Sequence, residues 1–298
     1  MANVLLTGFP SFTAQLIIER LVNQGDHVQV LVRHRFRDEA ETFLRQLTGP
    51  GSSEVLLGDV TLMDLGLRGP QVRRLIQEVE YMYHLATVYP LSKRSHEAHS
   101  VNVEGTRSIL DLALSADRLM RFNFYSTAFV SGTREGVVME DELVSGQRFR
   151  NRFEESKYEA ERLVRRAGED IPISIFRPSL VVCKTDTGQI DSHNEAYRLL
   201  RGFLRLPRDV RLPLPGRGYY PLNLVPVDYV CDAMVTISRD PRGVGKTFHL
   251  TDPNPLPARR VLEIIADSAQ RKRPRGAIPA TIARHLLKLP GLGDLGAA

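Results

Sequence analysis

Three short stretches carry residue types whose spacing could do chemistry. The first is TGFPSFTA at 7–14, where Gly8 closes an apolar run and Phe9, Ser11 and Phe12 lead into a helical pattern. A tight glycine turn that opens a helix aims backbone N–H groups at a phosphate, aided by the positive end of the helix dipole. Gly8 suits the tight turn, and Ala14 is small enough for close helix packing. Ser11 stands where a middle glycine would let a pyrophosphate approach. Its hydroxyl takes up space but can bond a phosphate oxygen. Taken alone, the stretch also reads as an ordinary glycine turn of an α/β protein.

The second stretch ends at Arg33, which closes the run HVQVLVR and precedes His34 and Arg35. Dinucleotide folds that choose the unphosphorylated cofactor place an acid here for the ribose hydroxyls; a guanidinium suits a 2′-phosphate. Arg33 therefore points to NADPH or NADP, and the plainer reading is a solvated basic loop. The third stretch is NRFEESKYEAE at 151–161. Lys157 follows Phe153 by four positions, so both project from one helical face a turn apart. The ring at 153 has no proton to give.

Alternating elements must position these residues. Strands are predicted at 3–8, 27–33, 53–60, 80–87, 121–130 and 172–182, with helices at 12–25, 37–49, 69–79, 100–116 and 152–168. Strand–helix units in this order build a Rossmann-type, doubly wound parallel sheet. After residue 183 the rhythm breaks, and the Pro- and Gly-dense stretch 204–230 reads as no regular βα unit. One more strand is predicted at 246–252 and helices at 258–272 and 280–289. Residues 1–183 thus form a dinucleotide-binding domain, completed by strand segments near 222–252, and 184–298 an interleaved substrate-binding lobe.

The 298 residues carry a formal charge of +5, but Lys and Arg are scattered and the densest run, RKRPRG at 271–276, is short. That distribution favours an anionic cofactor over nucleic acid. Cys183 and Cys231 have neither CxxC spacing nor a nearby His, as for reduced thiols, and no metal-ligand spacing is present. No basic leader and no apolar run of membrane-spanning length occurs, so a cytoplasmic chain is expected.

VLVR (30–33), GDVTLMDLGL (58–67), HLATVY (84–89), VNVEGT (101–106), FYSTAFVSG (124–132), SKYEAE (156–161), FRPSLV (176–181) and LVPVDYV (224–230) stand in order over about 230 residues. Together they resemble the extended short-chain dehydrogenase/reductases, in the branch with thioester reductases and fatty acyl-CoA reductases. GDVT…LGL narrows it to this branch. The resemblance implies that Asp59 and Val60 contact the adenine, and that Ala86 and Thr87 line the nicotinamide side. It implies that Thr127 binds the substrate oxyanion, Lys157 bonds the nicotinamide ribose, and Pro178 begins the segment that packs on the carboxamide. Pairing of two chains through the helices at 100–116 and 152–168 is implied as well. His84 and Asn102 read as structural.

Phe153 departs from the pattern, because the family has a proton-donating tyrosine there. Among nearby phenols, Tyr158 is turned about 100° from Lys157 on the helix, and Tyr125 lies on the strand face opposite Ser126. Tyr89 is left as substitute donor beside water. The expected activity is NADPH-dependent reduction of a carbonyl on a small molecule or carrier-bound acyl group, in secondary or lipid metabolism. An activated ketone, an aldehyde or an acyl thioester would serve. The rival is a non-catalytic NADP(H)-binding sensor or scaffold. Nucleotide-sugar epimerase or dehydratase chemistry depends even more on a tyrosine.

Overall fold

The computed structural model describes residues 1–88, 95–190, 214–216 and 218–279. The first apolar runs become strands β1 (Asn3–Thr7), β2 (His27–Val32), β3 (Ser52–Leu57), β4 (Tyr81–His84), β5 (Arg121–Tyr125) and β6 (Ile173–Pro178). β4, β5 and β6 are buried at every position, as central strands of a parallel sheet are. Short strands β7 (Leu180–Val182), β8 (Leu214–Pro215) and β9 (Leu224–Pro226) follow, then β10 (Lys246–Leu250) and β11 (Ala277–Ile278).

Seven strands form one parallel sheet in the order β10-β6-β5-β4-β1-β2-β3. β1 pairs with β2 on one side and β4 on the other, so the strand order reverses there. Ligands of doubly wound folds bind beyond the carboxyl ends of the strands at such a reversal.

Helices α1 (Phe12–Asn23), α2 (Arg37–Gln46), α3 (Gly69–Glu78), α4 (Ser95–His99), α5 (Gly105–Ser115) and α6 (Arg152–Ala167) link the strands. α6 positions most of the chemistry. Asn151 caps it by accepting from the Glu154 N–H at 2.9 Å. Glu154 and Glu155 in its first turn and Arg165 and Arg166 in its last suit the helix dipole. Ala160 and Val164 of α6 join Ile109 and Leu110 of α5 and Phe122 and Phe124 of β5 in one apolar core. Each large side chain buried there contributes about 1.5–3 kcal/mol.

The chain divides into two units, residues 1–181 with 226–250 and residues 182–225 with 251–298. All site residues below belong to the first. In the second, β11 pairs in parallel with β8, and a helix spans Ala258–Ser268.

The structure corrects several predicted elements. The strand expected at 121–130 stops at Tyr125, because a 3₁₀ turn follows at Ala128–Ser131. The one expected at 172–182 is interrupted at Ser179. The helix expected at 100–116 begins as a π-helical turn, Ser100–Glu104. The Pro-rich stretch, read as lacking a βα unit, runs from β9 into the unpredicted helix Val227–Arg239, which leads to β10. Its buried Val227, Val230, Cys231, Met234, Val235 and Ser238 recur at helical spacing. The predicted helix at 280–289 lies outside the described residues.

Candidate active site

Gly8 leaves β1 with φ of 109°, a conformation that suits glycine. A Cβ there would lie 2.7 Å from the Leu85 carbonyl carbon and 2.9 Å from Ala86 N. Only a bare backbone fits this close against the chain leaving β4. Ser11 N–H donates to the Gly8 carbonyl at 3.0 Å, and Ser11 Oγ caps α1 by accepting from the Ala14 N–H at 3.3 Å. The hydroxyl proton stays available, so helix cap and phosphate donor are compatible in one side chain. Phe9 is buried with its ring 5.8 Å from that of Phe43, so its side chain is spent on packing. Phe12 opens α1 half-buried.

Past β2, Arg33 Nε stands 2.9 Å from Asp59 Oδ2 in an ion pair, each side chain about a quarter exposed. Asp59 Oδ1 accepts from the Thr61 N–H at 3.0 Å and from its hydroxyl at 2.9 Å. Val60 is buried against Gly105, where an added Cβ would come 2.7 Å from Val60 Cγ2. Its backbone, not its side chain, is left to meet a ligand. His34 and Arg35 are exposed, and the Arg35 guanidinium lies 4.5 Å from the centre of the Phe36 ring.

Lys157 lies on the buried face of α6. Its Nζ donates to the Tyr125 carbonyl at 2.5 Å and sits 4.4 Å from the Phe124 ring centroid. Burial pulls its pKa down to about 7, against the pull of Glu161 one turn later. Thr127, also buried, accepts from the Phe129 N–H at 3.3 Å, and among the described residues its own proton has no acceptor. Ser126 donates to Glu161 Oε2 at 2.6 Å, and Arg177 Nη2 donates to Glu161 Oε1 at 2.7 Å. Burial raises the Glu161 pKa, but Arg177 outweighs it and holds the carboxyl below its ordinary range. Through Lys157 and Glu161, α6 therefore ties down the ends of β5 and β6. Phe153 is half-buried one turn before Lys157. Tyr158 turns elsewhere, its ring 4.9 Å from that of Phe149.

His84 and Asn102, expected as structural, join the loop after β4 to α6. Thr106 donates to the Asn102 carbonyl at 2.7 Å, so its oxygen accepts from His84 Nε2–H at 3.0 Å. His84 Nδ1 then accepts from the Thr7 hydroxyl at 2.8 Å, and the Thr7 oxygen accepts from the Ala86 N–H at 3.2 Å. Burial, with the charge of Lys157 adding to it, lowers the His84 pKa to about 3 and keeps the ring neutral. The Asn102 amide pairs with the backbone of Val88 at 2.9 and 3.1 Å and donates to Ser156 Oγ at 2.9 Å. Inside this clamped loop, Thr87 Oγ1 is buried with no partner among the described residues.

Ser179 Oγ is in the same state, directly after Pro178 at the end of β6. An unbonded buried hydroxyl costs about 1–3 kcal/mol, and such atoms commonly meet a polar ligand. Residue type alone does not single out Ser179, although FRPSLV contains it. Tyr89, the expected substitute donor, lies outside the described residues. Cys183 and Cys231 are free thiols, and burial pushes that of Cys231 up to about 12. Among the described residues no cluster of His, Cys, Asp and Glu could hold a metal, and no helix is long and apolar enough to cross a membrane.

Comparison with known proteins agrees with this architecture. The NAD-binding family described as male sterility protein matches residues 6–234. A linear gramicidin synthase of Brevibacillus parabrevis is 27% identical over 270 residues, covering 84% of this chain and 5% of its own length. Carboxylic acid reductase of Segniliparus rugosus is 29% identical over 271 residues, covering 78% of this chain and 23% of its own length. The chain thus spans only a small part of these relatives. The crystal structure of the terminal R domain from the myxalamid PKS-NRPS pathway is 26% identical, with a TM-score of 0.82, over 99% of this chain and 77% of that one. With a parallel sheet reversed at β1, a glycine turn at its exit and Lys157 on α6, the chain belongs to the NAD-binding male sterility protein family, within the extended short-chain dehydrogenase/reductases.

Proposed function

We propose that the chain is a reductase module that uses NADPH to reduce the acyl thioester of a small or carrier-bound acid, and stops at the aldehyde. A bound nicotinamide supplies hydride to the carbonyl carbon. The Gly8 cradle and the orphaned hydroxyls of Thr87 and Ser179 fit such a ligand. Arg33 suits the 2′-phosphate, Asp59 and the Val60 backbone the adenine, Lys157 a ribose hydroxyl, and Pro178 and Ser179 the carboxamide.

The observation that carries the reading is Thr127. Its oxygen is occupied as an acceptor while its proton is free, so it can donate to a carbonyl oxygen that gains negative charge. Phe153 then selects the substrate. A ketone or aldehyde becomes an alkoxide that only a proton completes, and Phe153 has none. A thioester becomes a tetrahedral alkoxide that re-forms its C=O as the C–S bond breaks. The electron pair leaves on sulfur, and solvent protonates the thiolate. A thiol with a pKa near the ~8.5 of cysteine needs no general acid to depart. The named relatives, a gramicidin synthase and a carboxylic acid reductase, also favour an acyl substrate.

The test is a panel of acyl thioesters, aldehydes and ketones, run with wild type and Phe153→Tyr, following NADPH absorbance and analysing products. Wild type should consume NADPH with thioesters alone and accumulate aldehyde. Phe153→Tyr should carry aldehyde on to alcohol, faster than wild type by about 10²-fold or more, the contribution of a general acid. If both proteins bind NADPH and neither turns over any member of the panel, the chain is a cofactor-binding protein without catalysis.

A further inference from the structure

We propose that Asp59 is a positioning residue for cofactor choice, holding the Arg33 guanidinium where a 2′-phosphate would meet it. The inference rests on the NADPH reading above. Arg33 is joined to Asp59 in an ion pair whose nearest atoms are Nε and Oδ2, 2.9 Å apart. Asp59 is itself fixed twice by Thr61, through backbone N–H and hydroxyl. The carboxylate is thus a post, and the arginine an arm hung from it. With about a quarter of each side chain exposed, packing alone does not order them. The ion pair does.

Two effects oppose each other. A carboxylate beside a phosphate repels it, and on that ground Asp59→Asn should tighten binding. Against this, the Asp59 charge already faces Arg33, which cancels much of its field before a phosphate arrives. A loosened arginine must also be ordered anew when ligand arrives, a cost equivalent to roughly two- to tenfold in affinity per rotamer-rich side chain. Positioning therefore outweighs repulsion, and removing a negative charge should weaken binding of an anion.

The experiment is calorimetric titration of 2′,5′-ADP and of 5′-AMP into wild type, Arg33→Ala, Asp59→Asn and the double variant. Asparagine keeps an acceptor for Thr61, which preserves the turn. Wild type should prefer 2′,5′-ADP, and Arg33→Ala should lose about ten- to a hundredfold of that affinity. Asp59→Asn should lose roughly two- to tenfold for 2′,5′-ADP and less for 5′-AMP. In the double variant the Asn substitution should erase no further preference, because no arginine remains to be held. Unchanged or tighter binding of 2′,5′-ADP by Asp59→Asn would overturn the inference while leaving the NADPH reading intact. So would equal losses for both ligands, or additive effects in the double variant. A wild type that binds both ligands equally would overturn the NADPH reading and this inference with it.

Discussion

At the end of the site that we propose for the adenosine, Arg33 and Asp59 meet as a charged pair in partial contact with water. At the end proposed for the reaction, Lys157, His84 and Glu161 are almost wholly buried. Burial there draws Lys157 toward neutrality and holds His84 neutral, while Glu161 stays ionised because Arg177, Ser126 and Arg165 bond it. Among the described residues, the hydroxyls of Thr87 and Ser179, both uncharged, are left without a partner at that end. Exposed charge is cheap to keep and can discriminate one anion from another. Buried charge is costly, so the interior keeps it tied and offers neutral donors to a reacting carbonyl.

Substitutions at three positions would sharpen or break this contrast. Thr127→Ala should lower turnover of every thioester by about 10²–10³-fold, the loss seen when one oxyanion donor is removed. NADPH affinity should change little, since Thr127 is assigned to substrate alone. Steady-state kinetics beside a cofactor titration would show this, and a loss confined to cofactor binding would erase the division between the ends.

Lys157→Met should separate the cost of burial from function. The folded pKa near 7 lies below the ordinary lysine value of 10.5. Between those values the unfolded chain holds a proton that the folded one has released, so stability rises with pH from about 7 to about 10.5. Below pH 7 the burial penalty is present in full. The Met variant should therefore be more stable than wild type there, by on the order of a few kcal/mol, with the gap closing toward pH 10. Urea unfolding at several pH values would reveal it, and a gap independent of pH would mean that Lys157 is not buried as a charge.

The smallest effect belongs to Ser11. Ser11→Ala removes the α1 cap and should lower stability by about 1 kcal/mol, whereas Ser11→Gly should cost only a few tenths. If both leave thermal unfolding unchanged, the hydroxyl serves the ligand rather than the helix.

Much of the sheet was legible because its central strands are largely buried and read as mostly apolar runs, VLLT and VQVLV among them. Legibility failed where apolar character outlasts geometry. FNFYSTAFV continues past Tyr125, yet Thr127 turns its oxygen back on the Phe129 N–H and starts a 3₁₀ turn. The helix Val227–Arg239 was hidden by prolines at 213, 215, 221 and 226, although its apolar spacing was in view. In the site, residue types such as Gly8, Arg33 and Lys157 could be picked out singly. That Arg33 rests on Asp59 could not, because a helix and a strand separate them in the chain. Nor could the orphaned hydroxyls, which are properties of packing.

The pairing of β6 with β10 bears on how the molecule is made and how it can be divided. The neighbour that covers the outer edge of β6 comes from Lys246–Leu250, far along the chain from Pro178. During synthesis β6 must wait for it with a row of backbone N–H and C=O groups unpaired. A fragment ended near residue 183, where the composition shifts, would keep that edge bare for good. Bare parallel edges recruit strands from other molecules. The most visible seam in the sequence is therefore the place where a recombinant boundary invites aggregation.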